Sequence, residues 1–259
     1  MVRPKKHLGQ HFLTDPVIAE RITNLLQDNP ETSVIEVGPG KGILTDFLIA
    51  RKELDLHLIE IDRESVSYLH DKYPEIKERL IEGDFLNLDL KPYGNKIALI
   101  GNFPYNISSQ IFFKALDSKD SVNEVICMIQ KEVAERIASD PGNKRYGILS
   151  VFLQTWYDIK LEFTVKPGSF FPPPRVYSSI ITLKRNQRKS LPCDEKFYRS
   201  VIKMAFNQRR KVLNNSIKSF LVNLNLDGVE LNLRRRPEEL SVEDFIELCT
   251  SLEKLQNKI

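Results

Sequence analysis

A tetrapeptide near the middle of the chain, Asn102 to Tyr105, places an amide, a proline and a phenol directly after an apolar run. An exocyclic amine such as adenine N6 is a poor nucleophile, because its lone pair is delocalised into the ring. Two acceptors aimed at its N–H groups favour a more pyramidal nitrogen; the Asn102 side-chain carbonyl and the Pro104 backbone carbonyl are suited to this. The Tyr105 ring offers a face for a flipped-out base. The motif therefore predicts chemistry on an amino group of a flat base, and a simple Pro-containing turn is the alternative.

A second motif consists of three glycines at alternate positions, Gly38, Gly40 and Gly42, directly after another apolar run. Glycines there let a ligand approach the backbone without a Cβ in the way. The spacing is G-x-G-x-G, with Glu36 two residues ahead, and not the G-x-G-x-x-G of a dinucleotide site. This pattern favours S-adenosylmethionine over a pyrophosphate, and the lack of a G-x-x-x-x-G-K-[ST] loop leaves a P-loop hydrolase unsupported.

Acidic residues follow two later apolar runs. Glu60 ends the first, about twenty residues after the glycines, where a carboxylate can hold a ribose diol. Asp84 follows the second, where it can accept from an adenine amine while Ile61 and Phe85 pack on the faces of that adenine. Ligands of open α/β sheets lie outside the carboxyl ends of strands, so we expect these residues in one pocket. Ordinary surface acids are the alternative.

The elements that must position these residues alternate short β-rich runs with amphipathic segments up to about residue 184, which predicts a mostly parallel sheet covered by helices. Seven strands are predicted, over residues 33–37, 54–61, 79–82, 96–101, 123–129, 155–164 and 178–183. A Pro-rich loop joins the last two, which indicates an antiparallel hairpin at the end of a Rossmann-like sheet, as in S-adenosylmethionine-dependent methyltransferases. Residues 186–192 are typical of a linker, and helical spacing of apolar residues follows. We expect a catalytic domain over residues 1–185 and a small helical domain over residues 190–259.

Positive charge is concentrated in the second predicted domain. Residues 1–183 hold 22 basic and 25 acidic residues, whereas residues 184–259 hold 16 basic and 10 acidic ones. Arg209, Arg210 and Lys211 lie in this basic region, and Lys5 and Lys6 lie in an N-terminal arm. Such patches face polyanions, which makes these five residues RNA-binding candidates and the helical domain an RNA-binding one. A solvated helix face is the alternative.

The cysteines, the histidines and the apolar runs argue against several classes of protein. The three cysteines lack C-x-x-C spacing, which indicates reduced thiols in a cytoplasmic protein. No two of the four histidines stand at ligand spacing, so we expect no metal. The basic N-terminus has no apolar run behind it and no stretch approaches 18 apolar residues, which argues against secretion and against a membrane partner.

Five segments together resemble the rRNA adenine N6-dimethyltransferase family of the KsgA type over nearly the whole chain. They are residues 9–13 (GQHFL), 36–42 (EVGPGKG), 102–108 (NFPYNIS), 170–178 (FFPPPRVYS) and 206–211 (FNQRRK). The resemblance implies that S-adenosylmethionine is contacted by His11, Leu13, Gly38, Glu60, Asp84 and Asn102, and that Phe170 and Tyr105 bracket the target adenine. Phe171 is then assigned to packing. The alternative is that the Pro-rich loop braces the sheet edge and that Phe170 belongs to the core. Two positions depart from the family pattern, since His11 stands where many members have Asn and Tyr177 where they often have Asp.

The resemblance also implies the reaction. Methyl groups pass from S-adenosylmethionine to N6 of two adjacent adenosines near the 3′ end of small-subunit rRNA, giving N6,N6-dimethyladenosines and S-adenosylhomocysteine. No strong base is needed, because the leaving thioether is neutral and the amine becomes more acidic as it turns cationic. We expect a monomer that acts on small-subunit rRNA or on the immature small subunit during ribosome biogenesis. The alternatives are a large-subunit dimethylase of the macrolide-resistance type and a ribosome-assembly factor whose main role is binding.

Overall fold

The computed structural model describes residues 2–27, 29–222 and 232–256. The strands are β1 (Phe12–Leu13), β2 (Ser33–Val37), β3 (Asp55–Glu60), β4 (Leu80–Glu82), β5 (Ile97–Asn102), β6 (Val122–Gln130), β7 (Tyr157–Val165), β8 (Phe170–Phe171) and β9 (Ser178–Arg185). The helices are α1 (Pro16–Thr23), α2 (Thr45–Leu48), α3 (Arg63–Lys72), α4 (Ser108–Asp117), α5 (Lys131–Ile137), α6 (Ile148–Trp156), α7 (Glu195–Asn207), α8 (Leu213–Ser216), α9 (Lys218–Leu221) and α10 (Val242–Gln256). Within these ranges no helix is long and apolar enough to cross a bilayer.

In the described part of the chain, seven strands form one sheet in the order β4-β3-β2-β5-β6-β9-β7. The first five are parallel to their neighbours, whereas β9 runs antiparallel to both β6 and β7. The predicted Rossmann-like sheet with an antiparallel end hairpin is therefore confirmed. The order of the strands reverses between β2 and β5, and ligands of such sheets bind outside the carboxyl ends of strands at this point.

The central strands are apolar on both faces. Val34 and Ile35 of β2 are almost completely buried, and residues 97–100 of β5 are completely buried. Continuous apolar runs of this kind are typical of parallel strands covered by helices on both sides. Two of the helices begin at side-chain caps: Asp15 accepts from the first amides of α1, and Asp62 accepts from Glu64 N at the start of α3. These caps fix where the two helices begin.

A small second sheet was not predicted. In it, β1 pairs antiparallel with β8, with Phe12 opposite Phe171 and Leu13 opposite Phe170. The Thr14 amide extends the pairing by donating to the Ser169 carbonyl at 2.9 Å. Two-residue strands carry no periodicity, so sequence alone could not reveal them. This pairing joins the N-terminal arm to the Pro-rich loop.

The chain divides into two compact units. One consists of Met1–Ala134 and Tyr157–Arg185, and the other of Glu135–Trp156 and Asn186–Ile259. The second unit includes residues 135–156, which we placed in the first domain because the alternation of β-rich and amphipathic segments continues to about residue 184. Within the second unit, the Thr155 hydroxyl and the Tyr198 hydroxyl lie 2.8 Å apart, and apolar residues of α6 are buried. The helices predicted there from apolar spacing are present, with Val201 and Cys249 buried in α7 and α10.

Candidate active site

One cavity of the first unit lies at the carboxyl ends of β2, β3, β4 and β5. Its wall includes ten of the twelve residues predicted as catalytic or cofactor-binding: His11, Gly38, Gly40, Glu60, Ile61, Asp84, Phe85, Asn102, Pro104 and Tyr105. They come from five separate stretches of sequence. Parallel strands bring them together because their carboxyl ends share one edge of the sheet.

The glycine loop after β2 presents bare backbone to this cavity. Gly38 has φ 68°, and a Cβ built on it would meet no atom within 4 Å, so its open side faces empty space. Gly40 has φ 59°, and a Cβ there would lie 2.7 Å from the Phe12 ring. Both positions favour glycine, the first by conformation alone and the second also by the close approach of Phe12.

Glu60 supports the glycine loop as well as lining the cavity. Its side chain is 3% exposed, and its carboxylate oxygens accept from the Gly40 amide and the Asp62 amide, each at 2.9 Å. Burial raises the pKa of Glu60, and the two amides oppose that increase. Each carboxylate oxygen can accept more than one hydrogen bond, so capacity remains for ligand hydroxyls. Sequence analysis predicted only the ligand contact and missed the bond to Gly40.

A buried polar group lies behind the loop. The Thr45 hydroxyl donates to the Glu36 carboxyl group at 2.7 Å, and Glu36 is 1% exposed. Burial raises the Glu36 pKa to about 8, so this carboxyl is largely protonated at neutral pH. Nearby, the Tyr73 hydroxyl lies 2.7 Å from both the Gly42 carbonyl and an Asp46 oxygen. These contacts hold the glycine loop against α2 and the end of α3.

Asp84 and Phe85 form another wall of the cavity. Asp84 begins a short 3₁₀ turn, Phe85–Asn87, and accepts from the Leu86 amide at 2.9 Å. Phe85 is 4% exposed, whereas Ile61 is 50% exposed. Lys114 caps the other end of this turn by donating to the Leu86 and Leu88 carbonyls at 3.0 and 2.6 Å. The turn therefore holds one acidic and one aromatic side chain at the cavity.

Asn102, the last residue of β5, has a defined amide orientation. Its Nδ2 lies 2.8 Å from the His11 carbonyl, which can only accept, so Nδ2 must be the donor. Within the described residues no other group donates to its Oδ1. The Pro104 carbonyl accepts from the Ile107 amide at 3.2 Å and retains a second lone pair. The two predicted acceptors therefore both line the cavity with accepting capacity left.

The Tyr105 side chain is held by two direct contacts. Its hydroxyl lies 2.6 Å from Ser178 Oγ, and the His11 ring stacks on it with centroids 5.5 Å apart and planes at 29°. His11 Nδ1 in turn lies 2.7 Å from the Pro172 carbonyl. That carbonyl only accepts, so Nδ1 carries a proton. Burial raises the pKa of Tyr105, which keeps its hydroxyl neutral and able to donate.

Two predicted site residues are not at the cavity. Leu13 and Phe170 oppose each other in the β1–β8 pair and are 5% and 4% exposed. Both belong to the hydrophobic core, with Val165 and Ile180. Phe171, which we assigned to packing, is instead 57% exposed. Successive residues of a strand point to opposite faces, so burying Phe170 places Phe171 outside. The prediction that Phe170 offers an open face to a base is therefore wrong for this structure.

The five RNA-binding candidates differ in their surroundings. Lys5 pairs with Asp62 and its ammonium lies 3.4 Å from a Glu64 carboxylate oxygen, so this ammonium joins the N-terminal arm to the start of α3. Arg209 lies 3.7 Å from Glu238 and donates to the Lys144 carbonyl. Lys6, Arg210 and Lys211 are exposed. The last three therefore have side chains open to a polyanion, whereas Lys5 and Arg209 are engaged within the protein.

Other cavity residues were not singled out by sequence reasoning. They are mostly apolar or backbone contributors: Leu8, Gly9, Gln10, Phe12, Val37, Ile59, Gly83, Leu86, Phe103, Asn106 and Ile107. Seven of them lie in the motif segments at residues 9–13, 36–42 and 102–108, which is the signal that could have found them, and Ile59, Gly83 and Leu86 each adjoin a predicted residue. Phe12 contributes more than the others to the shape of the site, because its ring packs against Gly40.

The sheet order, the glycine loop and the amide-proline-phenol turn define a Rossmann-like methyltransferase. The family model for ribosomal RNA adenine dimethylase matches residues 1–254. The chain is 51% identical to ribosomal RNA small subunit methyltransferase A of Parabacteroides distasonis, covering 98% of this chain and 96% of that one. It is 52% identical to the protein of the same name from Porphyromonas gingivalis, covering 98% and 99%. The chain belongs to the ribosomal RNA adenine dimethylase family.

Solved structures agree with this assignment at the level of the fold. A dimethyladenosine transferase from Plasmodium falciparum superposes with a TM-score of 0.79 at 23% identity, covering 95% of this chain and 98% of that one. The 23S rRNA methyltransferase ErmE superposes with a TM-score of 0.69 at 22% identity, covering 95% and 99%. The predicted fold and enzyme class, an S-adenosylmethionine-dependent rRNA adenine dimethyltransferase, are confirmed by the family.

Proposed function

We propose that this protein dimethylates N6 of two adjacent adenosines near the 3′ end of small-subunit rRNA. The observation that carries the proposal is the fixed Asn102 amide, whose Nδ2 is committed to the His11 carbonyl 2.8 Å away. Its Oδ1 is left as an acceptor for an amine N–H. The similarity to proteins named small subunit methyltransferase A supports the choice of rRNA.

The cavity fits S-adenosylmethionine, which supplies an electrophilic methyl group on a sulfonium when bound. Gly38 offers bare backbone beside empty space, and Glu60 and Asp84 offer carboxylate acceptors at neighbouring strand ends. Glu60 suits ribose hydroxyls, while Asp84 suits an adenine amine. Phe85 and Ile61 supply apolar contact for the adenine faces.

The chain's own contribution to methyl transfer is positioning and electrostatics. Asn102 Oδ1 and the Pro104 carbonyl accept from the two N–H groups of the target amine, which directs its lone pair toward the methyl carbon. Tyr105 supports the ring of the base. No residue need act as a strong base, because the proton is lost after the nitrogen has become cationic.

For partners, the proposal is a monomer that meets the immature small subunit in the cytoplasm, late in ribosome biogenesis, and that does not engage membranes. Exposed Lys6, Arg210 and Lys211 are the side chains proposed to contact rRNA phosphates. Arginine and lysine contacts of this kind position a nucleic acid without reading its sequence.

The two alternatives have less support. A large-subunit dimethylase would share the cavity, but the similarity to ErmE extends only to the fold, and the close relatives carry small-subunit names. A purely binding assembly factor would have no use for an oriented Asn102 amide beside an open glycine loop. A double role in methylation and assembly is compatible with the same site.

The test is to incubate the protein with methyl-labelled S-adenosylmethionine and unmethylated ribosomal subunits of both sizes, and then to map the label. The proposal expects label on two adjacent adenosines of the small subunit, as N6,N6-dimethyladenosine. Label on the large subunit would favour the macrolide-resistance alternative. Tight binding to the small subunit without label would favour the assembly factor.

A further inference from the structure

The loop between β8 and β9 exposes aromatic rings that methyl transfer does not use. Phe171 is 57% exposed and Tyr177 is 49% exposed, with Val176 beside it at 44%. Arg175 is also exposed. Single exposed apolar side chains are ordinary on protein surfaces. Two rings with a guanidinium between them are instead the composition that binds single-stranded nucleic acid.

The first ring is joined to the cavity wall through the β1–β8 pair. Phe171 lies opposite Phe12, which lines the cavity. The next residue, Pro172, accepts from His11 Nδ1 at 2.7 Å, and the His11 ring stacks on Tyr105. Phe171 is therefore adjacent in the chain to Pro172, whose carbonyl orients the His11 ring that stacks on Tyr105.

The second ring is joined to the same wall from the other end of the loop. The Tyr177 carbonyl accepts from the Lys131 amide at 2.9 Å, which fixes the backbone there. The next residue, Ser178, is fully buried, and its Oγ lies 2.6 Å from the Tyr105 hydroxyl. Each exposed ring is thus adjacent in the chain to a residue linked to Tyr105, Phe171 to Pro172 through His11 and Tyr177 to Ser178 directly.

The loop between the rings is stiff. Residues 172–174 are all proline, and Pro174 is buried. Proline fixes φ, and the two anchored ends restrict the loop further. Little conformational entropy is therefore lost when a ligand binds these rings, which favours tight binding from a small contact area.

We propose that Phe171 and Tyr177 form a stacking surface for the unpaired nucleotide next to the target adenosine. This inference rests on the proposed function. A base that enters the cavity leaves its neighbour without a stacking partner, and the second of two adjacent target adenosines is that neighbour. Exposed rings beside the cavity restore the lost stacking, while Arg175 and the exposed Lys166 offset phosphate charge.

The experiment measures steady-state methylation of unmethylated small subunits over a range of subunit concentrations, with saturating labelled S-adenosylmethionine. Phe171→Ala and Tyr177→Ala are compared with Phe171→Leu, which keeps apolar bulk without a π-face, and with Tyr177→Phe, which keeps the ring. Val176→Ala is the matched control, an exposed apolar truncation in the same loop. Melting temperature and calorimetric affinity for S-adenosylhomocysteine are recorded for every variant.

The stacking surface predicts that both Ala variants and Phe171→Leu raise KM for the subunit by roughly 5- to 150-fold, the range for losing one base–aromatic stack. Tyr177→Phe and Val176→Ala should keep the wild-type KM, and cofactor affinity should not change. An unchanged KM in both Ala variants would overturn the inference. A wild-type KM in Phe171→Leu would also overturn it, because an apolar protein contact would then explain the surface. If the wild-type enzyme itself leaves small subunits unlabelled, the proposed function fails, which is a separate result.

Discussion

At the scale of single residues, the site depends on atoms whose hydrogen-bonding roles are already fixed. Asn102 shows this most clearly, because the His11 carbonyl engages Nδ2 and leaves Oδ1 as the open acceptor. The sequence predicts this acceptor but not the group that orients it. His11 lies 91 residues away in the chain, and such long-range partners leave no local pattern.

Replacing Asn102 with Ala should lower the methyl-transfer rate by about 100- to 1000-fold, the cost of removing one preorganised electrostatic contact. Affinity for S-adenosylhomocysteine should fall only slightly, since the acceptor acts on the amine. Single-turnover methylation of small subunits measures the rate, and calorimetry measures the affinity. Asn24→Ala, an exposed Asn-to-Ala change at the end of α1, is a control. A variant with a near-normal rate would remove Asn102 from this role.

Glu60→Ala should weaken cofactor binding by more than the ligand contact alone. A charge-assisted hydrogen bond contributes about 1.5–3 kcal/mol, and the Gly40 and Asp62 amides also lose their acceptor. Calorimetric titration with S-adenosylhomocysteine should therefore show a loss at or above this range. Glu82→Ala, which removes an exposed carboxylate paired with Arg63, should leave affinity unchanged. Equal affinities for Glu60→Ala and wild type would make Glu60 structural only.

Glu36 predicts a pH dependence of stability. Its pKa is raised by burial from 4.5 to about 8 in the folded protein, so between these pH values the folded state binds more protons than the unfolded one. Stability must then fall as pH rises through this window, by up to about 1.4 kcal/mol per pH unit from this group.

The measurement compares wild type with Glu36→Gln by urea unfolding at pH 5, 6, 7 and 8. Gln still accepts from the Thr45 hydroxyl but does not titrate, so the variant should gain stability relative to wild type as pH increases. Parallel curves for the two proteins would show that Glu36 ionises normally.

At the scale of elements, the sequence predicted the sheet well. All seven strands lie within about two residues of their predicted limits. The parallel strands are the easiest to predict, because buried parallel strands have continuous apolar sequences. The β1–β8 pair could not be predicted in the same way. Its register decides which of Phe170 and Phe171 is buried, and a register between segments about 160 residues apart is a tertiary property.

The β1–β8 pair predicts opposite results for two neighbouring phenylalanines. Phe170→Ala should destabilise the protein by about 3–5 kcal/mol, as expected for truncating a buried Phe. Phe171→Ala should stay within about 0.5 kcal/mol of wild type, because its ring is exposed. Chemical denaturation of both variants gives the comparison. Similar losses for the two, or the reverse order, would contradict the register.

At the scale of the whole molecule, the division into units was predicted only in part. A boundary does lie at Arg185, but residues 135–156 group with the second unit. Residues 135–156 lie between two parts of the first unit, and their composition does not differ in a way that marks a boundary. α6 of the second unit is followed directly by β7 of the first. The basic residues of the second unit were found from charge alone, whereas their separation into engaged and exposed side chains needed the structure.

The difference between exposed and engaged basic side chains changes the salt dependence that we expect of RNA binding. If exposed Arg210 and Lys211 each neutralise a phosphate, replacing both with Gln should flatten the plot of log affinity against log salt by about 0.7–0.9 per lost contact. Arg209→Gln should instead lower stability, because it removes contacts to Lys144 and Glu238. Small-subunit binding is measured across a salt series. An unchanged slope in the double variant would make these two residues a solvated surface.

We propose that one cavity, at the carboxyl ends of the parallel strands, holds the methyl donor and orients the target amine. The most direct measurement is a structure of the protein bound to an unmethylated small subunit with S-adenosylhomocysteine. We expect a flipped adenine whose N6 lies about 2.7–3.2 Å from Asn102 Oδ1 and from the Pro104 carbonyl, with its ring against Tyr105. An adenine bound outside this cavity, or an N6 that contacts neither acceptor, would contradict it.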